Sequence, residues 1–281
     1  MNSTQANDNQ QAAIWNGRAG HAWVEMQALL DDVFRPFEHL LVAAARERGA
    51  TCVLDIGCGT GGTTLALTRA LSAGALCTGV DISEPMIAAA RARAGTEGLS
   101  TIFQRADAQE YPFEPATFDM IVSRFGVMFF ADPVRAFTNL RRATCHAGEL
   151  RMVAFRSASE NPFMTTAERA AAPLLPNLPA RRPDGPGQFA FADKRLVESI
   201  LRESGWSSID IQPIDVACAF PATDLDRYVA RLGPVGLALQ EANADTRAEV
   251  IEKVRAAFAP YLHGAEVRFN AGCWMISARA E

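Results

Sequence analysis

Between residues 51 and 156, apolar runs of strand length alternate with segments of helical period, and this rhythm restricts the fold more than any other feature of the chain. "TCVLDI" is a continuous apolar run, and "GGTTLALTRALSAG" is helical with Gly74 as its stop. "ALCTGVDI" reads as a second strand, and "SEPMIAAARARAG" as a helix with Ser83 at the N-cap and Gly95 as terminator. "TIFQRADA", "FDMIVSRFGVMFF" and "ELRMVAFR" supply three more strands. "DPVRAFTNLRRATCHAG" supplies a helix capped by Asp132 with Pro133 in first position. Strands separated by helices of this length predict an α/β, Rossmann-like fold: a mostly parallel sheet with right-handed crossovers and helices on both faces.

The flanks read differently. Residues 1–11 are expected to form a disordered tail, and residues 12–48 two helices. The second of these, in "DDVFRPFEHLLVAAARERG", is expected to begin near Pro36 and to end at Gly49. Residues 157–194 are proline-rich (Pro162, Pro173, Pro176, Pro179, Pro183, Pro186) and read as an irregular excursion over the surface. A helix at 193–205, a strand at 207–220 and two helical stretches within 223–260 follow. The final "EVRFNAGCWMISARA" is expected to return antiparallel at the sheet edge. The implied organisation is a tail and helical lid at 1–48, then one domain at 49–281 with cap segments at about 157–194 and 220–262.

Composition narrows the function classes. Apolar residues make up 49% and charged residues 21% of the 281, as in ordinary globular proteins, with a net charge of −5. The basic pairs Arg141-Arg142 and Arg181-Arg182 are too small to track a phosphate backbone, so nucleic acid is not an expected partner. No apolar run reaches the roughly 18 residues of a membrane helix. The N-terminal "MNSTQANDNQQ" lacks the basic and apolar regions of a signal peptide, so a cytoplasmic protein without membrane attachment is expected. Six scattered cysteines without C-x-x-C, and four distant histidines, suggest no metal site.

The chemistry concentrates in "LDIGCGTGGTT". Gly57, Gly59, Gly61 and Gly62 satisfy the dinucleotide pattern G-x-G-x-x-G and equally G-x-G-x-G, between a strand and a helix. Asp81, at the end of the next strand, suits ribose hydroxyls in either case. Asp55 separates the two. A dinucleotide would bring its pyrophosphate beside that carboxylate, at a cost of roughly 4 kcal/mol for charges about 4 Å apart at an effective dielectric near 20. S-adenosylmethionine has no phosphate and carries an ammonium and a sulfonium, which inverts the sign. Asp107, closing the third strand, is placed to accept from an exocyclic amine, with the N–H of Ala108 beside it for a ring nitrogen.

In order and spacing, "VLDIGCGTG", "GVDISEPMIAAARARA", "RADAQEYPFEPATFDMIVSRFGVMFF" and "ADPVRAFTNLRRATCHAGELRMV" resemble the class I S-adenosylmethionine-dependent methyltransferases. The closest likeness is to the small-molecule branch that includes the ubiquinone and menaquinone biosynthesis enzymes. "IWNGRAGHAW" resembles their N-terminal cofactor lid. The resemblance implies a seven-stranded sheet with a reversed last strand. It implies that Asp55, Gly57, Cys58, Gly59 and Gly61 surround the methionine moiety, and that Asp81, Ile82 and Met86 flank ribose and adenine. By the same likeness Asp107 and Ala108 read adenine, Ser123 lies near the methionine amine, and Trp15 belongs to the lid. The implied partner is a small-molecule methyl acceptor, and a homodimer is compatible.

Methyl transfer from a sulfonium needs orientation more than acid–base help, and no catalytic dyad is visible. His21, Tyr228 and His263 are the candidate bases, His21 first. The aspartate/asparagine-Pro-Pro-aromatic signature of amino-group methylation is missing after the fourth strand, where Ser123-Arg124-Phe125-Gly126 stands. The acceptor pocket is expected from Trp15, Trp23, Phe125, Met128, Phe129, Phe163, Phe189, Phe191 and Leu237, which favours a hydrophobic or aromatic molecule. Two other classes remain at this stage: an NAD(P)-dependent oxidoreductase, from the literal glycine pattern, and a cofactor-binding regulatory protein without turnover.

Overall fold

A computed structural model describes residues 3–179, 181 and 185–281. Three helices lead in: α1 (Ser3–Asn16), α2 (Arg18–Glu25) and α3 (Gln27–Arg48). The alternating region follows as β1 (Cys52–Ile56), α4 (Gly62–Ala70), β2 (Leu76–Asp81), α5 (Glu84–Glu97), β3 (Ile102–Arg105), β4 (Phe118–Arg124), α6 (Pro133–Ala143) and β5 (Thr144–Phe155). The remainder is α7 (Pro162–Ala171), α8 (Lys194–Glu203), β6 (Ser207–Pro221), α9 (Leu225–Arg231), α10 (Gly233–Leu239), α11 (Ala244–Ala257), β7 (Leu262–His263) and β8 (Glu266–Arg279).

One sheet runs in the order β3-β2-β1-β4-β5-β8-β6, with the two-residue β7 paired to β8. Strands β1 to β5 pair in parallel, and β8 is antiparallel to both its neighbours. The chain works outward from β1 to β3, then returns to lay β4 on the other side of β1. The carboxyl ends of β1 and β4 therefore flank a topological switch point, where open α/β sheets take their ligands.

The parallel sheet and the reversed last strand match expectation. Its position does not: β8 lies inside the sheet, between β5 and β6, and β6 forms the edge. The burial patterns explain this. In β8, Val267, Phe269, Ala271, Cys273, Ile276 and Ala278 are all buried, while β6 alternates with exposed positions and carries Pro213, which has no N–H to give a further neighbour.

Other boundaries also differ. Residues from Ser3 on are helical and continue into the lid, against the expected tail; Met1 and Asn2 lie outside the described residues. Helix α3 runs through Pro36, because the stripe Leu29, Leu30, Val33, Phe34, Phe37 and Leu41 is buried along its whole length. Such packing outweighs one lost backbone bond. Gly95 is inside α5, which ends one turn later at Gly98 in the left-handed conformation (φ 64°). The expected irregular excursion contains helix α7, and the second cap holds three helices instead of two. Part of the first cap, including Arg182 of the second basic pair and Pro183, lies outside the described residues. Among the described residues no helix is long and apolar enough to cross a membrane.

Candidate active site

The glycine loop joins β1 to α4 at the switch point. Gly57 has φ 65°, and a Cβ there would stand 2.5 Å from the Cα of Gly126, so the loop and the end of β4 touch backbone to backbone. Four of the loop's N–H groups are already engaged. The N–H groups of Gly57 and Cys58 both donate to the Val80 carbonyl, at 2.8 and 3.1 Å, and Gly61 donates to the Cys58 carbonyl at 3.0 Å. Gly59 donates to Asp81 Oδ2 at 2.9 Å. A phosphate-binding loop aims such groups at the ligand; this one spends them on the protein.

Three acids close the first three strands, each differently placed. Asp81 lines the cavity above the loop and is held by Gly59 and by the Ser83 N–H at 2.9 Å; burial pushes its carboxyl up. Asp107 also lines the cavity, its oxygens fixed by the side-chain amide of Gln109 at 3.1 and 3.2 Å. Asp55 is 1% exposed and sits beneath the loop, outside the cavity lining, where Thr64 Oγ1 donates to its Oδ2 at 2.7 Å. Its other oxygen is buried without a partner. Desolvation pushes its carboxyl up to about 7, against the lowering effects of Thr64 and Arg124. The charge argument drawn from Asp55 in the sequence therefore transfers mainly to Asp81 and Asp107, which face the ligand space.

The cavity holds about 470 Å³ and continues from the loop into the cap. Asp81, Ile82, Met86, Asp107 and Ala108 form one end, and Gly57, Gly59, Arg124, Phe125 and Gly126 the middle. The far end is apolar, built from Phe155, Phe163, Met164, Leu237 and Phe258, with Tyr228, Glu168, Arg181, Gln188 and Arg231 among its polar groups. Trp15 and Trp23 close the near side from α1 and α2, with Trp15 set edge-on to Phe129 at 5.0 Å. The lid is fastened to the cofactor-side strand end: Asn16 Nδ2 donates to the Ile82 carbonyl at 3.1 Å, its Oδ1 accepts from the Glu84 N–H at 2.9 Å, and Ser83 Oγ donates to the Trp15 carbonyl at 2.6 Å.

Trp15, Gly57, Gly59, Asp81, Ile82, Met86, Asp107 and Ala108 thus share one cavity. Four others lie outside its lining. Besides Asp55, the Cys58 thiol is buried and held well above its usual range by desolvation, and Gly61 packs against the Phe103 ring. Ser123 is fully buried and donates to the Ile56 carbonyl at 2.8 Å, which locks β4 to β1. His21 and His263 are exposed and do not reach the cavity, whereas Tyr228 does. Burial pushes the Tyr228 phenol upward, which disfavours it as a base. Of the expected acceptor residues, Trp23, Phe125, Met128, Phe129, Phe163 and Leu237 line the cavity; Phe189 and Phe191 pack behind it. Phe125 holds φ 65°, rare for a bulky side chain, with its ring stacked 4.2 Å from Phe155.

Sequence reasoning gave no role to Asn16, Gln109, Arg124, Glu168 or Arg181. Asn16 stands in the lid motif and Arg124 in the strand-end segment, so position was the available signal. Glu168 and Arg181 come together only through the cap, at 2.5 Å.

Residues 53–148 match the family model described as a methyltransferase domain. An uncharacterised protein of Mycobacterium tuberculosis is 31% identical over 152 residues, covering 54% of this chain and 54% of its own. The demethylmenaquinone methyltransferase of Thermus thermophilus is 34% identical over 122 residues, 43% of this chain and 55% of its own. The chain thus spans about half the length of the curated relatives it matches. Among solved structures, the YcgJ protein of Bacillus subtilis superposes with a TM-score of 0.56 at 20% identity, covering 86% of this chain and 97% of that one, a likeness of fold.

Proposed function

We propose that this chain, which carries a methyltransferase domain across residues 53–148, transfers a methyl group from S-adenosylmethionine to a small hydrophobic or aromatic molecule. The observation that carries the proposal is the pair of carboxylates facing one cavity, Asp81, which also takes the N–H of Gly59 in the glycine loop, and Asp107. Such a rim opposes a pyrophosphate and suits a ligand with hydroxyls, an exocyclic amine and positive poles. The Gly57–Gly126 approach leaves no room for a Cβ at either position, which holds the loop against the end of β4.

When bound, S-adenosylmethionine supplies an activated methyl carbon on sulfur. The chain supplies placement. Asp81 and Asp107, each fixed by its own hydrogen bonds, present remaining lone pairs to the ribose and adenine. Trp15, Trp23 and Phe129 cover the reaction space and exclude water. The apolar far end takes the acceptor and orients it for in-line attack, where positioning alone can supply roughly 7–11 kcal/mol in favourable cases. Tyr228 donates a hydrogen bond to an acceptor oxygen. Glu168 pairs with Arg181, which favours an acceptor that ionises readily, such as a phenol or quinol, over one that needs a strong base. The name of the Thermus relative, demethylmenaquinone methyltransferase, supports a small-molecule acceptor of this kind. In the same reading residues up to 48 form the lid, and 49–281 one domain with its caps.

Methyl-transfer assays on a panel of phenols, quinol precursors and peptides test it. Turnover on ring hydroxyl or quinol acceptors is expected; turnover on peptides alone would refute the acceptor class.

A further inference from the structure

The rings around the cavity form two sets. Trp15, Trp23, Phe34, Phe125, Phe129 and Phe155 contact one another in sequence at the cofactor end and the middle. Phe163, Phe220, Tyr228 and Phe258 form the second set, in the cap. The cavity runs from the first set to the second.

Tyr228, on α9, brings a hydroxyl to the apolar far end of that cavity. Its ring stacks on Phe220, with centroids 5.1 Å apart and 23° between the planes, and meets Phe163 at 6.0 Å. These contacts fix the ring and so fix where the hydroxyl stands. Among the described residues that hydroxyl has no hydrogen-bond partner. Its polar neighbours at the far end are engaged with the protein. Glu168 accepts from Arg181 at 2.5 and 2.8 Å, Gln188 Oε1 accepts from Arg181 at 3.3 Å, and Arg231 Nε stands 3.2 Å from Glu25.

A hydroxyl in an apolar wall discriminates between ligands. A wholly apolar occupant would strip it of water and give nothing back, whereas an oxygen placed against it restores the bond. The ring contacts of Tyr228 are to cap residues alone, apart from the rings that cover the cofactor end. The oxygen it meets is therefore set away from the atom that receives the methyl group.

We infer that Tyr228 selects acceptors that carry a second oxygen, a carbonyl or hydroxyl remote from the methylated atom. The inference rests on the methyltransferase reading above and narrows its acceptor class to molecules that are apolar in the middle and polar at the far end. Tyr228 acts on specificity and takes no part in proton or methyl transfer.

Titration of the full chain, saturated with S-adenosylhomocysteine, with two matched pairs of phenols tests it: para-hydroxybenzophenone against para-benzylphenol, and hydroxytetralone against the matching hydroxytetralin. Within each pair a ketone replaces a methylene, and the pairs differ in reach. The ketone also makes the phenol more acidic, an effect that Tyr228→Phe leaves in place, so the wild-type preference is read against that of the variant. In at least one pair the wild-type chain is expected to favour the ketone about 3–10-fold more than Tyr228→Phe does, the range for one neutral hydrogen bond. The variant keeps the ring on Phe220 and Phe163, so its melting temperature and its affinity for S-adenosylhomocysteine are expected to stay the same. Equal preferences of wild type and variant in both pairs overturn the role of Tyr228. Binding of no phenol by a chain that holds S-adenosylhomocysteine overturns the acceptor class and this inference with it. Failure to bind S-adenosylhomocysteine, a separate readout, would sink the cofactor reading instead.

Discussion

The backbone N–H of Gly59 donates to Asp81 Oδ2 at 2.9 Å, so one donor of the glycine loop is committed to a carboxylate of the protein. The same carboxylate accepts from Ser83 at 2.9 Å, which ties the loop to the start of α5. Asp81 therefore shapes the loop and faces the ligand at once, and losing it should affect both.

Asp81→Asn is expected to weaken S-adenosylhomocysteine binding by roughly 10–100-fold, since hydrogen bonds to a charged acceptor contribute about 1.5–3 kcal/mol. Asp81→Ala should weaken it further and lower the melting temperature of the free chain. Calorimetric titration and thermal denaturation measure the two effects separately.

Asp55 predicts a pH dependence. Burial raises its carboxyl to about 7 in the folded chain from the ordinary 3.8, so the folded state holds the extra proton between those values. Its stabilising contribution is complete below about pH 4 and is lost as pH rises through about 7, a loss on the order of 4 kcal/mol. Asparagine has no such proton to lose. Asp55→Asn should therefore stabilise the free chain relative to wild type at pH 8 and much less at pH 5, as read by thermal melts.

The lid hangs on Asn16. Its side chain bonds both the Ile82 carbonyl and the Glu84 N–H. Asn16→Ala should speed S-adenosylhomocysteine release about 10-fold through the loss of these two bonds, with a smaller effect on association. Stopped-flow tryptophan fluorescence, reporting Trp15 and Trp23, follows that release.

His21 and Tyr228 should behave oppositely to the expectation drawn from sequence. His21→Ala, at an exposed position away from the cavity, should leave methyl transfer unchanged. Tyr228→Phe should raise KM for an oxygen-bearing acceptor about 3–10-fold through loss of one hydrogen bond, with kcat and its pH profile nearly unaltered. A shifted pH profile would restore Tyr228 as a base.

The parts of this site legible in sequence are those whose meaning is local. The strand–glycine–helix pattern, the acids at 81 and 107, and the caps at Ser83 and Asp132 follow from residue type and spacing alone. Asp55 was legible as an acid, but not its position under the loop, because burial depends on how α4 folds back with Thr64 against β1. Tyr228 was visible in the chain, yet its significance is an unmet hydrogen bond, which only three-dimensional accounting reveals. The edge strand is β6, which Pro213 marks, and Pro36 lies inside α3 because the burial of its neighbours, a tertiary effect, carries the helix through it. The Glu168–Arg181 pair closes a cap whose residues meet only through tertiary packing.

The most direct measurement is a titration of the purified chain with S-adenosylhomocysteine and, separately, with NADH and NADPH. Saturable binding of S-adenosylhomocysteine, lost in Asp81→Ala, with no heat from either dinucleotide, is the expected result. Saturable binding of a dinucleotide without binding of S-adenosylhomocysteine would contradict it, because the N–H groups of the loop would then have to leave Val80 and Asp81 for a phosphate.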